Sequence, residues 1–189
     1  MRISGGSITR RGMAAMCVFL LVGALAPIAS AQDEPAFVFP CADGAEWEAA
    51  PDQPISFLCG WGTVGGPGLI EMFLRGHQGR LVIEDENGNV VLAIGPAEFA
   101  SLWGDPESGP SGFEGVTCAS PTGQSVAWSY LLDAGLAEGT YTVTLEESFR
   151  HPVTDGFQTC WADDGTRLAE PPNHLYRGAT AVGTIIVSD

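Results

Sequence analysis

The chain has 189 residues, and its 23 acidic side chains outnumber its eight basic ones, all arginine, to give a formal net charge of −15. This excess of negative charge repels phosphate backbones, so nucleic acid is excluded as a partner and anionic lipid is disfavoured. The length accommodates one domain with a hydrophobic core, and a second full domain would not fit comfortably.

The first predicted element is a secretory signal peptide over residues 1–31. Three arginines precede an apolar run, and Ala29-Ser30-Ala31 forms a small-residue cleavage site, so Gln32 begins the mature protein. No later apolar run approaches membrane-spanning length. Residues 32–189 then carry five arginines against all 23 acidic residues, a net charge of −18. We expect a secreted or otherwise extracytoplasmic single domain.

The acidic surface has two interpretations. It can be a solvated surface that favours solubility, for example in a saline setting, or it can bind cations. We favour the first, because net charge is an argument about solubility before it is one about sites.

The mature part contains four cysteines, Cys41, Cys59, Cys118 and Cys160. An even number in an exported protein predicts two disulfides. Three pairings are possible, and we favour Cys41–Cys59 with Cys118–Cys160, which would join local strand neighbours. There is no C-x-x-C pair, so the sequence does not support a zinc knuckle or a redox motif.

In chain order, residues 36–39 are predicted as an edge strand and the rest of residues 32–54 as loop. Residues 55–62 form a strand that places Ile55, Phe57, Cys59 and Trp61 on the core face. Leu69, Ile70, Phe73 and Leu74 have helical spacing, which predicts a short helix over residues 69–75, with a strand as the alternative.

The sharpest local pattern covers residues 80–94. Two apolar runs flank Asn87-Gly88, which is typical of a hairpin with a type I′ turn. A helical turn is predicted to start at Pro96. A surface loop and a short strand over residues 115–120 follow.

The strongest alternation lies in residues 125–132 and 141–146. Val126, Trp128 and Tyr130 alternate with small or outward residues, and so do Tyr141 and Val143 after a Gly-containing turn. These two strands are predicted to form an antiparallel pair. Residues 150–178 are predicted as a long connection pinned at Cys160, and residues 180–188 as the last strand.

Leu136, Gly139 and Tyr141 form the pattern L-x-x-G-x-Y, followed by V-x-L. This pattern resembles the entry to strand F in immunoglobulin-like and fibronectin-III-like β-sandwiches, and it implies a tyrosine corner in which the hydroxyl bonds to upstream backbone. The predicted fold is therefore all-β: an immunoglobulin-like antiparallel β-sandwich of about seven strands, with one or two short helical turns.

Two acidic turns are the weak candidates for a metal, with calcium the ion that their oxygen atoms would suit: Asp85 with Asn87, and Asp163 with Asp164. Neither turn has the EF-hand spacing, so ordinary polar turns are the favoured interpretation and no cofactor is predicted. A second possible metal site combines His151, Asp155 and His174 from the long connection. Its alternative, which we favour, is that His151 and Asp155 frame a loop turn.

The remaining candidates are aromatic and nucleophilic. Trp103 and Trp161 lie outside the predicted core strands and could stack on sugar rings, although packing is the favoured role. Gly123-Gln124-Ser125 resembles a nucleophile elbow that lacks its last glycine, and Ser125 opens a strand instead of a strand-to-helix turn.

No catalytic set is predicted from these residues. The leading hypothesis is an exported, non-enzymatic β-sandwich with a binding, adhesion or surface or matrix structural role, whose ligand is an unknown protein or glycan. The first alternative is a carbohydrate-binding module that uses Trp103 and Trp161. The second is a secreted hydrolase that uses Ser125 or a His-Asp site.

Overall fold

The computed structural model describes residues 34–111, 114–168 and 175–189. The predicted signal peptide and its cleavage site lie outside these ranges. In the described part the chain is mostly β, which confirms the all-β class. The strands are β1 (Ala36–Val38), β2 (Glu46–Ala49), β3 (Ile55–Val64), β4 (His77–Asp85), β5 (Val90–Ile94), β6 (Glu107–Pro110), β7 (Val116–Cys118), β8 (Thr122–Leu132), β9 (Gly139–Val153), β10 (Cys160–Ala162) and β11 (Tyr176–Val187).

Two short helices interrupt the strands, α1 (Gly68–Gly76) and α2 (Pro96–Phe99). Both were predicted, and α1 resolves the choice between helix and strand. Its Ile70 and Phe73 are buried while Glu71 and Met72 are exposed, as a helical period requires. α2 begins at Pro96, whose fixed φ and missing N–H suit the first helical position.

The strands form two main sheets and a small one. One sheet has the order β1-β3-β8-β6, the second β2-β11-β9-β4-β5, and the third pairs β10 with β7. Within the described residues the strands outnumber the predicted seven, mainly because short strands such as β2 and β6 lie where loops were predicted. The prediction of purely antiparallel sheets was wrong, because β1 pairs with β3 and β2 with β11 in parallel.

The predicted pairing of residues 125–132 with residues 141–146 was also wrong. β8 pairs with β3 and β6, whereas β9 pairs with β4 and β11 in the other main sheet. The connection over residues 133–138 explains this crossing, because Leu136 is 8% exposed and packs in the core. Asp52 N–H also donates to Leu136 O at 2.9 Å. A connection anchored inside the core carries the chain between sheets and does not fold it back as a hairpin.

The two main sheets share one apolar core, which we call the sheet–sheet core. Ile55, Phe57 and Trp128 come from the first sheet, and Ile83 and Ile185 from the second; each is at most 1% exposed. The apolar positions that alternate in the sequence of these strands are therefore the positions that are buried in the core. For example, in β3 Ile55, Phe57 and Cys59 are buried and their neighbours are less so.

The hairpin of β4 and β5 is confirmed, but its turn is not type I′. Gly88 has φ 78°, and Asp52 is the one non-glycine residue with positive φ in the described part of the chain, so Asn87 has negative φ. Gly88 N–H donates to Asp85 O, and Asp85 N–H donates to Asn89 O, both at 2.9 Å. This is the pattern of a three-residue loop whose last residue is left-handed.

Both favoured disulfides are present. Cys41 is joined to Cys59, and Cys118 to Cys160. Cys118 and Cys160 stand opposite each other in the pairing of β7 with β10, so this bridge pins the connection as predicted. The connection is shorter than the predicted residues 150–178, because β9 continues to Val153 and β11 begins at Tyr176. Two disulfides are compatible with an extracytoplasmic location.

Candidate ligand-binding cleft

The acidic hairpin tip uses its carboxylate for its own loop. Asp85 Oδ1 accepts hydrogen bonds from the backbone N–H groups of Asn87 and Asn89 at 2.9 and 2.8 Å, and its Oδ2 accepts from the Asn89 side chain at 2.8 Å. These bonds, those from Asn89 first, hold the pKa of Asp85 below its usual value. The arrangement is an Asx turn.

The second acidic turn is built in the same way. Asp164 Oδ1 accepts the Thr166 N–H at 2.9 Å, which lowers the pKa of Asp164. Asp163 ties the loop through its backbone N–H, which donates to Gly115 O at 3.1 Å. Within residues 34–111, 114–168 and 175–189, no three His, Cys, Asp or Glu side chains are grouped to hold a metal ion.

His151 and Asp155 have different environments. His151 is exposed on β9, whereas Asp155 is 7% exposed. Asp155 Oδ1 accepts the Phe157 N–H and its Oδ2 accepts the Tyr176 hydroxyl, both at 2.9 Å. Asp155 therefore shapes the loop after β9, whereas His151 lies within β9, so the predicted turn is framed by Asp155 and not by His151. His174 lies outside the described residues, so the proposed three-residue metal site stays a prediction.

Ser125 lies inside β8, with Gly62 of β3 on one side and Glu107 of β6 on the other. A nucleophile elbow needs a sharp strand-to-helix turn that lifts the hydroxyl out of the sheet. β8 instead continues as a strand to Leu132. The elbow geometry is therefore absent at Ser125.

The two candidate tryptophans differ in exposure. Trp103 is half-buried and meets Phe73 edge to face at 5.1 Å between ring centroids, so it packs as the favoured interpretation held. Trp161 on β10 is 36% exposed. The Arg167 guanidinium lies over the Trp161 ring, 5.7 Å from its centroid, in a cation–π contact.

Trp103 belongs to a group of rings beneath α1 that we call the aromatic cluster. Its members are Trp61, Phe73, His77, Trp103, Phe149 and Tyr176. Phe73 projects from the buried face of α1 and stacks on Trp61 at 4.7 Å, and Tyr176 meets Trp61 edge-on at 4.9 Å. The cluster attaches α1 to the ends of both main sheets.

The buried His77 links Trp103 of the aromatic cluster to the carboxylate of Glu147. The Trp103 Nε1–H donates to His77 Nδ1 at 3.3 Å, and His77 Nε2 lies 3.0 Å from Glu147 Oε1. Since Nδ1 accepts, the proton of a neutral ring is on Nε2 and points to the carboxylate. The His77 side chain is 2% exposed, so this network orients Trp103 and closes one side of the cluster.

The opposite face of α1 borders a cleft of about 540 Å³, which we call the α1–β9 cleft. The helix contributes Gly68, Glu71, Met72, Arg75 and Gly76, and β9 contributes Arg150 and His151. The five helical positions have the spacing i, i+3, i+4, i+7 and i+8, which is one stripe of a helix. α1 thus uses one face for the aromatic cluster and the other for the cleft.

The cleft is cationic in a strongly acidic protein. It contains Arg75 and Arg150, two of the five arginines of residues 32–189. Arg75 Nη2 lies 2.7 Å from Glu71 Oε2, one helical turn away. Within the described part of the chain, Arg150 has no ion pair. The fixed charges of the lining therefore sum to about +1, with His151 beside them.

Sequence reasoning named His151 but missed Arg75, Arg150 and Met72 as parts of one site. The sequence signal for this site was the exposed stripe of the predicted helix, which contains Met72 and ends near Arg75. The sequence did not show that β9 lies opposite this stripe, because Arg150 follows Arg75 by 75 residues and was predicted to begin a loop. The lining presents guanidinium, imidazole and thioether groups, and its one carboxylate, that of Glu71, is paired with Arg75, so the set suits binding of an anion.

Comparisons of this chain with protein-family models, with curated proteins and with solved structures found no match. The helices of the described residues are too short or too polar to span a membrane.

Proposed function

We propose that this protein is an exported, non-enzymatic, immunoglobulin-like β-sandwich that acts by binding a ligand. The observation that carries the proposal is the α1–β9 cleft, a concave site beside the aromatic cluster whose lining offers guanidinium and imidazole groups to a ligand. Clefts of a few hundred cubic ångströms are typical of small-ligand sites. The two disulfides suit an oxidising compartment outside the cytoplasm.

Two local features support the immunoglobulin-like assignment. The Tyr141 hydroxyl donates to Ala137 O at 3.0 Å, which is the bond that a tyrosine corner makes to upstream backbone. The connection before Tyr141 also passes from one main sheet to the other.

The test is a ligand screen against the folded, disulfide-bonded protein, with backbone NMR shifts as the readout. Glycans, peptides and small anions are screened in turn, and we expect the ligands that bind to shift the amides of Met72, Arg75 and Arg150. The matched control is Gly76→Leu. A Cβ at Gly76 meets nothing within 4 Å, so the larger side chain has room to enter the cleft and block it.

Two outcomes would contradict a binding role at this cleft. One is that no ligand class shifts these amides, and the other is that ligands bind the Gly76→Leu variant as well as they bind the parent protein. The non-enzymatic part is tested separately. Hydrolysis of acyl esters should be no faster with the protein than with Ser125→Ala, and a difference would favour the hydrolase.

Carbohydrate binding is the second candidate, and the observation in its favour is Trp161. Its ring is 36% exposed, as a stacking platform for a sugar requires, although Arg167 covers part of it. A glycan array tests this candidate. Binding that is lost in Trp161→Ala and kept in Gly76→Leu would place the site at Trp161 and away from the cleft.

A further inference from the structure

We infer that the α1–β9 cleft binds a small organic anion that has an apolar body, with its anionic head at Arg150 and His151. This inference rests on the proposed binding role and specifies the ligand class.

The first step is that Arg150 is the cation available to a ligand. Arg80 is paired with Glu146 at 3.3 Å on the outer face of the second main sheet, and Arg75 is paired with Glu71 in the cleft. Arg150 is exposed, lies beside His151 and has no carboxylate partner in the described residues. A guanidinium offers a planar fork of donors that matches a carboxylate, phosphate or sulfate head.

The second step is that the net charge of −18 on residues 32–189 does not prevent an anion from binding here. At physiological ionic strength the screening length is about 8 Å, so the carboxylates elsewhere on the surface are largely screened from the cleft. The charge of about +1 within the cleft then determines that an anion is attracted to it. Binding should weaken with added salt, because salt also screens the contact between Arg150 and the head group.

The third step is that the cleft has an apolar floor with free space. The Met72 side chain is 39% exposed at the centre of the helical stripe. Gly68 and Gly76 stand at either end of this stripe, and a Cβ at either position would meet nothing within 4 Å. The methylene stems of the two arginines add further apolar surface.

The fourth step is size. A cleft of about 540 Å³ accommodates a small molecule and not a folded partner. A ligand with a charged head and an apolar tail of several carbons would place its head at Arg150 and its tail along Met72 and Gly76. Fully hydrophilic ions would leave this floor in contact with water and gain less.

The experiment titrates the disulfide-bonded protein with octanoate, octyl phosphate and octyl sulfate, below the concentrations at which they form micelles. Octanamide is the matched neutral probe. We expect at least one anion to shift the amides of Met72, Gly76, Arg150 and His151, with binding at least tenfold tighter than that of octanamide. The three head groups distinguish carboxylate, phosphate and sulfate ligands.

Arg150→Gln should weaken binding of the anion about tenfold and leave the weak binding of octanamide unchanged. Arg80→Gln is the matched control, because it removes an exposed arginine that is paired with Glu146 and does not line the cleft, and it should have no effect. Gly76→Leu should abolish binding of all probes. Because Arg150 is exposed, Arg150→Gln should fold, which an unchanged unfolding midpoint verifies.

Equal binding of octanoate and octanamide would overturn the anion inference and leave the binding role intact. So would an equal loss of affinity in Arg150→Gln and Arg80→Gln, which indicates diffuse charge attraction. If no probe shifts the cleft amides while a glycan or peptide from the screen does, only the ligand class is wrong. If neither the probes nor the screen shift them, the proposed function fails as well.

Discussion

The sheet–sheet core and the aromatic cluster stabilise the same domain by different means. The core contains no charged side chain, and its largest members, such as Phe57 and Trp128, are at most 1% exposed. The aromatic cluster is smaller, and its rings carry polar edges that meet Glu147 and Asp155. The first region depends on removal of apolar surface from water, and the second combines ring packing with the hydrogen bonds of His77 and Tyr176.

This difference predicts where the protein tolerates change. The core should lose the most stability when volume is removed and should be insensitive to pH. The aromatic cluster should lose less on truncation of its outer rings, since several are partly exposed, and should respond to the protonation state of its polar groups. The α1–β9 cleft lies against the aromatic cluster, so ligand binding should affect the aromatic cluster and not the sheet–sheet core.

The largest expected effect is that of Phe57→Ala in the core. Deleting a fully buried phenyl ring leaves a cavity, and we expect a loss of about 3–5 kcal/mol in the free energy of unfolding. Denaturant unfolding measures it. Phe149→Ala in the aromatic cluster is the comparison, and its cost should be smaller because that ring is only half-buried. Equal costs would show that the two regions do not differ as described.

The second prediction concerns the hydroxyl at the edge of the core. Tyr141→Phe removes the bond to Ala137 O from a side chain that is 8% exposed. The loss should be about 1–3 kcal/mol, since the carbonyl is left without its partner. The fold should remain, as judged by an unchanged near-ultraviolet spectrum. An unfolding midpoint equal to that of the parent protein would argue against a tyrosine corner.

Trp103→Phe should have a smaller effect, in the lower half of about 1–3 kcal/mol. It removes the donor to His77 Nδ1, but Trp103 is half-buried, so water can enter and replace the indole N–H. The NMR signals of the His77 ring are the specific readout. They should move in Trp103→Phe and stay in place in Trp161→Phe, which changes an indole outside the aromatic cluster.

The smallest expected effect appears at high pH. Burial, followed by the nearby Asp155 carboxylate, raises the pKa of the Tyr176 hydroxyl well above its usual value. In the unfolded chain this hydroxyl loses its proton at about pH 10, so the folded state then holds more protons and stability falls as the pH rises further. The chain has no lysine, so tyrosines dominate titration of its side chains in this range.

Tyr176→Phe removes this dependence. The variant should be less stable than the parent protein at neutral pH, because the bond to Asp155 is lost, and the difference should shrink as the pH is raised above about 10. Unfolding midpoints measured across this range test the prediction. A difference that stays constant with pH would mean that Tyr176 titrates alike in the folded and unfolded states.

Several elements could be predicted because their signals are local. The alternation in β3 and β8, the helical spacing in α1 and the turn residues before β5 each depend on neighbours within a few positions. The turn type was wrong because Asn-Gly is compatible with more than one loop, and the asparagine keeps negative φ once the Asp85 carboxylate caps the turn. β2 was missed because the alternation of EWEA covers only four residues in a Pro-rich stretch, and the strand is held by pairing with β11.

The sequence by itself determined the all-β class, the positions of the main strands and of α1, and a favoured pairing of four cysteines that the structure confirms. Only the tertiary structure decided that β8 and β9 belong to different sheets, that Trp103 is packed against His77, and that Arg75 and Arg150 face one cleft. The physical reason is distance along the chain. The period of the side chains depends only on the backbone of each element. Strand partners and clefts depend on contacts between elements that are far apart in sequence, and packing of the core determines which of these contacts form.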